Sequence, residues 1–226
     1  MPTFRSITRV CCAAVLGLAA AACSYPFAVS PGLAEKTTEI PVVKLDRKSW
    51  NIGEYQVREI RRGWEKTGGL SIGPVSGEKK QRDFSFQINH NGTSMRVNCD
   101  LSSGSSSIAG FTVDDGEQMT CDLNPADASA AWKVIIVARG TRNASGRLQQ
   151  GDNELPIVSA HGSGHSQSRG YLIREEGDVA AADVRVATRR VWVPTEGEPS
   201  YKAAFVGASV TLMLFEELAD SSNPSS

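Results

Sequence analysis

Residues Ala203 to Phe215 read Ala-Ala-Phe-Val-Gly-Ala-Ser-Val-Thr-Leu-Met-Leu-Phe, and Glu216 and Glu217 follow. A bilayer-spanning helix needs about 20 apolar residues, so this segment is too short to cross a membrane. It also has no polar face to turn toward water, so protein must surround it on every side. The fold must therefore offer an enclosed central slot. Two arrangements supply one. The segment can be a buried helix, with Ser200 as N-cap and an end near Ala219. Its β-branched and aromatic content also fits a long central strand inside a sandwich.

The chain ahead of this segment is built from short β-type runs separated by Gly, Ser, Asn and Asp. Phe84-Ser85-Phe86-Gln87-Ile88 alternates strictly and puts Phe84, Phe86 and Ile88 on one face. His90-Asn91-Gly92-Thr93 supplies a hairpin turn of the Asn-Gly type, with Met95 to Cys99 as the return strand. Further runs are Tyr55–Ile60, Ala109–Val113, Gln118–Leu123, Trp132–Ala138, Leu155–Ala160, Gly170–Arg174, Val179–Val186 and Arg190–Val193. Many short strands with turn chemistry between them predict a mainly β domain over residues 47–219. It would be a single antiparallel barrel or sandwich, with the helical alternative buried over about 201–219.

One buried helix closing a chain of many strands resembles the tubby-like and scramblase-like barrels, as does the hairpin pattern from Gly170 to Ala180. The resemblance implies a barrel threaded by its C-terminal helix. It covers about the last 60 residues, matches no diagnostic motif, and transfers no functional residue.

The opposite end of the chain carries a different signal. Arg5 and Arg9 precede a small and apolar run from Val10 to Ala22, which ends Ala20-Ala21-Ala22-Cys23. A basic start, a short apolar stretch and small residues before a cut mark an export signal. Cys23 after three alanines resembles the lipobox of bacterial lipoproteins, although Ala20 stands where that family favours Leu. The resemblance implies cleavage after residue 22 and acyl chains, palmitate among them, on Cys23. Ser24 resembles the class sorted to the outer membrane, facing the periplasm. Residues 23–46, with Pro26, Pro31, Gly32 and Pro41, read as a lipidated N-terminus and flexible tether. Residues 220–226 read as a disordered tail.

This organisation sorts the five cysteines. Cys11 and Cys12 leave with the signal peptide and Cys23 takes the lipid. Cys99 and Cys121 remain as an even pair in an exported domain, which predicts a disulfide. They sit in an internal echo, Asn-Cys-Asp-Leu at 98–101 and Cys-Asp-Leu at 121–123. Disulfide geometry requires these segments to be neighbouring strands, because an intervening strand would separate the cysteines by about 9–10 Å. The Ser-rich stretch Ser102–Ser107 then has to loop away.

Functional candidates are few. His161 and His165 flank Gly-Ser-Gly. That spacer disfavours the helix that would bring the two imidazoles to one metal, and a strand would hold them about 13 Å apart. The pair reads as a glycine-rich loop, with a weak metal site as the sharper alternative. A Gly-x-Ser-x-Gly nucleophile elbow is absent from the sequence, and His90 falls in the predicted turn. Arg58, Arg61 and Arg62 cluster around Trp64 and could meet lipid headgroups, anionic glycans or an acidic partner; a solvated strand face is the plainer reading. Trp50, Trp64, Trp132 and Trp192 are expected in the core rather than on a sugar-stacking platform. Asn91-Gly92-Thr93 and Asn143-Ala144-Ser145 fit glycosylation sequons but read as turns.

The full chain has a net charge of −1. Loss of Arg5 and Arg9 with the signal peptide lowers this to −3, which is no footprint for nucleic acid. The expectation is a membrane-anchored envelope lipoprotein without a cofactor. It would act as a non-enzymatic interaction or structural module, with an envelope protein as a possible partner. A carrier of a lipid or other apolar ligand inside a barrel is the alternative, and a metal-binding protein or hydrolase comes third.

Overall fold

In a computed structural model, residues 27, 29–72, 75–108, 111–126, 130–139, 143–161, 168–185 and 188–221 are described. The signal segment, Cys23 and His165 lie outside them, as do residues 222–226 of the expected tail.

The chain opens with a short helix, α1 (Pro31–Lys36). Ser30 caps it through its hydroxyl, which accepts from the Leu33 amide, and Pro31 takes the first turn, where no amide partner is needed. Strand β1 (Thr37–Lys44) follows directly. The expected tether over 23–46 is therefore folded from Ser30 to Lys44. Phe27 is folded in as well: it packs with Leu33, Ala181 and Trp192 in a small cluster of its own, its ring 5.5 Å from that of Trp192. Of the prolines that suggested a tether, Pro31 starts the helix and Pro41 lies in β1.

Next come β2 (Trp50–Ile52), β3 (Tyr55–Arg62), β4 (Lys66–Ile72), β5 (Val75–His90), β6 (Thr93–Ile108) and β7 (Phe111–Pro125). The series continues with β8 (Trp132–Arg139), β9 (Asn143–Gln150), β10 (Asn153–His161), β11 (Ser168–Glu175), β12 (Gly177–Asp183) and β13 (Arg190–Pro194). Helix α2 (Pro199–Ser221) closes the chain. The strands hydrogen-bond in the order β3-β2-β1-β13-β12-β11-β10-β9-β8-β7-β6-β5, and β5 returns to β3. Every pairing is antiparallel, and twelve strands form a closed ring. The barrel reading is thus correct and the sandwich reading falls.

Alternation explains what the ring encloses. Phe84, Phe86 and Ile88 of β5 point inward together with Val57, Val97, Leu123, Val134, Ile157 and their neighbours. The space they surround is filled by α2, in which Ala203, Ala204 and the larger side chains through Phe215 are buried all round. One contiguous core joins the helix to strands on opposite sides of the ring. Thr211 faces Cys99 on β6, and Tyr171 of β11 donates to Glu216. A Cβ on Gly207 would come within 2.8 Å of Leu123 Cδ2, so glycine lets the helix lie close against β7.

Cys99 and Cys121 are direct cross-strand partners on β6 and β7, with Cα atoms 4.0 Å apart and their sulfurs bonded. The segment between them does not loop away. Ser102–Ser107 continues β6, in regular register with β5 and, with one bulge between Gly104 and Ser105, paired to β7. Asn91 and Gly92 take positive φ values of 47° and 80° in the tight hairpin expected of them. Asn143-Ala144-Ser145 is no turn; it starts β9 with Ala144 buried.

Candidate functional site

The ring has two unlike ends. At the far end, where α2 enters, lie the turns around Gly53–Glu54, Asn91–Gly92, Gly151–Asp152, Glu175–Gly177 and Thr195–Glu198. They carry acidic residues and no lysine or arginine. At the opposite end α2 finishes, and β4 to β7 run on past the barrel.

That extension is a four-stranded arm made of β4, the first half of β5, the second half of β6 and the first half of β7. Its rows run Lys66↔Gln81↔Ser102↔Gln118 at the root, Leu70↔Gly77↔Ser106↔Val113 further out, and Ile72↔Val75↔Ile108↔Phe111 at the tip, with one bulge between β6 and β7 at Gly104 and Ser105. Eight residues of β5 beyond the barrel correspond to about 25 Å. The arm leaves where β3 breaks its register between Arg58 and Arg61, with Glu59 at a φ of 53°. Gly63 then donates its amide to the Asp83 carbonyl and crosses directly over the Asp83 side chain. All of β4 is exposed, as are residues 75–81 of β5, so the arm has no core of its own. On its outer face Gly68, Gly77, Gly104 and Gly116 form the bare floor of a shallow groove of about 780 Å³, walled by Leu70, Lys79 and Val137. At the root, Asp83, Asp100, Gln81, Gln118 and Thr120 line a second, polar cleft of about 250 Å³.

The exposed large apolar side chains among the described residues all lie toward this end. Val43 and Leu45 flank the loop between β1 and β2. Trp64, 90% exposed, stands at the arm root. Leu70, Ile72 and Val75 lie on the arm, and Val137 on the adjoining β8. The loop between β1 and β2 also presents Arg47 and Lys48 to solvent. The other three tryptophans, Trp50, Trp132 and Trp192, are buried as expected; Trp64 departs from that expectation.

Beside the arm root, the end of α2 is fastened by charge. Glu217 accepts from Arg189 Nη1 and Arg62 Nη2 at 2.7 Å each and from Lys44 Nζ at 3.3 Å. Burial works against the charged form of Glu217. The hydrogen bonds and charge of Arg189, with help from Arg62 and Lys44, outweigh it and hold the carboxyl below its ordinary 4.5. Arg189, only 5% exposed, lies 5.1 Å over the Trp50 ring. Its Nε and Nη2, and Trp50 Nε1, find no hydrogen-bond partner among the described residues.

The candidate basic cluster is thus dispersed. Arg62 belongs to the helix fastening. Arg58 holds Asn51 and the Trp50 carbonyl, and exposed Arg61 pairs with Glu59. Trp64 faces solvent. His161 ends β10, and among the described residues no three His, Cys, Asp or Glu side chains converge as for a metal. No described helix is long and apolar enough to cross a membrane. Sequence reasoning missed the arm, whose only local signs are the apolar pairs at its two hairpin tips. The chain matches no known protein-family model, no curated protein and no solved structure.

Proposed function

We propose that this chain is an exported lipoprotein of the cell envelope, acylated at Cys23 and facing the periplasm, whose barrel is a non-enzymatic scaffold for one interaction end. The observation that carries this reading is the one-sided distribution of exposed apolar side chains. Among the described residues they collect on the arm end, around an arm whose β4 and outer β5 are exposed, and none lies at the far end. Buried cores do not need such a display, and monomeric proteins seldom keep one without a use. Filling of the barrel by α2 also supports a scaffold over a carrier, because side chains occupy the space an apolar cargo would take.

Phe27 sits beside Gly170 and Ala182, next to the turn after Asp183 that faces the arm end. A lipid on Cys23, four residues earlier, would then tether the barrel from the end that bears the arm. The test is metabolic labelling of the full chain in a bacterial host with radioactive palmitate. The native chain takes up label that survives denaturing electrophoresis, and Cys23→Ser takes up none. Equal labelling of both, or of neither, would refute acylation at this residue.

A further inference from the structure

We infer that the Nε–Nη2 edge of Arg189 binds one small monovalent anion of chloride's size, beside the point where the end of α2 is fastened to the barrel. The inference stands apart from acylation at Cys23 and from any use of the arm.

A guanidinium is a rigid plane of N–H donors, and its Nε–H and one Nη–H lie parallel along a single edge. Covalent geometry therefore aims both at one point. Two other arginines of this protein use that edge on carboxylates. Arg185 gives Nε to Asp183 Oδ1 at 2.9 Å and Nη2 to Asp183 Oδ2 at 2.5 Å. Arg82 gives both Nε and Nη2 to Glu65 Oε2. Arg189 meets Glu217 differently, through Nη1 at 2.7 Å. Its Nε and Nη2 are buried and find no partner among the described residues. The side chain is held in place: it is 5% exposed, and the guanidinium lies 5.1 Å over the ring of the fully buried Trp50. Its backbone is pinned by the Val42 amide, which donates to the Arg189 carbonyl. Buried donors are rarely left unmatched, and those of a cation are the most costly to leave so.

Charge and donor character decide what fits. Lys44, Arg62 and Arg189 share the one carboxylate of Glu217, so the cluster carries two positive charges in excess. Lys44 Nζ also lies 5.8 Å over the Trp50 ring. The buried side-chain atoms without a partner here are Arg189 Nε, Arg189 Nη2 and Trp50 Nε1, and all three are donors. A water molecule would bring hydrogens of its own and need acceptors for them. An anion only accepts, and it also offsets the excess charge. Enclosure favours a small ion, because burying charge costs more as the charge rises. A divalent anion would in addition be repelled by the nearby Glu217 carboxylate.

The test is an NMR titration of the full chain, isotope-labelled at arginine, in which sodium chloride replaces sodium gluconate at constant ionic strength. The Arg189 Nε–H resonance should move along a single-site saturation curve. Those of Arg82 and Arg185, whose edges already hold carboxylates, should stay in place. Bromide should act as chloride does. Arg189→Lys keeps the charge but lacks the fork; it identifies the resonance and should weaken chloride binding about tenfold, read from the linewidth of the chloride signal. An Arg189 resonance indifferent to chloride would overturn the inference, as would a linear drift shared by all three arginines, or equal chloride broadening by the native and Arg189→Lys chains. If Arg189→Lys does not fold, the native chain decides: chloride broadening that saturates and that bromide displaces sustains the site, and its absence removes it.

Discussion

Glu217→Gln puts the fastening of the central helix to a quantitative test. The substitution keeps size and shape but removes the charge that three cations share. Breaking one side of a fully buried pair costs about 3–5 kcal/mol, mostly because the partner is stranded. Here Glu217 is 19% exposed, while Arg62 and Lys44, at 31% and 46%, can turn to water. Only Arg189, at 5%, cannot. A loss of about 2–3 kcal/mol follows. For a chain of this size that lowers the thermal midpoint by about 5–10 °C. The carboxyl is held below its ordinary 4.5 in the folded state, so its contribution is present above that value and fades as pH falls through the folded value. Differential scanning calorimetry should show the full gap between native and variant at pH ~7 and near coincidence at pH ~3. Arg189→Met in the variant should recover part of the loss, since it removes the stranded charge. A gap under about 0.5 kcal/mol at neutral pH, or one that persists unchanged in acid, would show that the fastening is not electrostatic.

Two further outcomes follow from the barrel interior. Replacing Cys99 and Cys121 together with serine removes a cross-link spanning 22 residues, and chain-entropy reasoning gives a loss of about 3 kcal/mol in urea unfolding; an unchanged midpoint would mean that the link constrains nothing. Tyr171 is held neutral by burial, by the charge of Glu216 and by donating to it, and Tyr55 and Tyr201 are raised mainly by burial. Tyrosinate absorbance should therefore lag behind that of the denatured chain as pH rises past the ordinary 10.0. Stability should fall in the same window, because only the unfolded state releases those protons; full ionisation of the native protein near pH 10 would contradict the burial of these rings.

The elements legible in the sequence were those whose physics is local. Phe84 to Cys99 announces its hairpin through strict alternation and Asn91-Gly92, and the ring keeps it. The cysteine pair fixed its two strands as neighbours through bond geometry alone. The apolar segment at 203–215 required enclosure, and the barrel decides for helix because a strand could not be buried on all sides at its centre. The arm was illegible because Ser102–Ser107 has neither alternation nor β-branched residues. Its register is inherited from the hairpin below it, which the run Ser-Ser-Gly-Ser-Ser-Ser does not encode. β1 was hidden by Pro41, whose missing amide matters less in a strand already held by β13 and β2. Exposure of Trp64 follows from the departure of the chain into the arm at Gly63, a tertiary event with no local signature.

The closing order of the ring bears on how such a protein can be made. β1 lies between β2 and β13, so the wall is not complete until nearly the last strand has been delivered, and the plug α2 comes after that. A chain emerging N-terminus first, from a ribosome or through a translocation pore, can form hairpins along the way but has nothing with which to fill their apolar inner faces. Native contacts of very long sequence separation must all form at the end, which makes folding slow and late. Losing the final 25 or so residues would not trim this protein; it would leave an open, greasy trough for chaperones and proteases to clear.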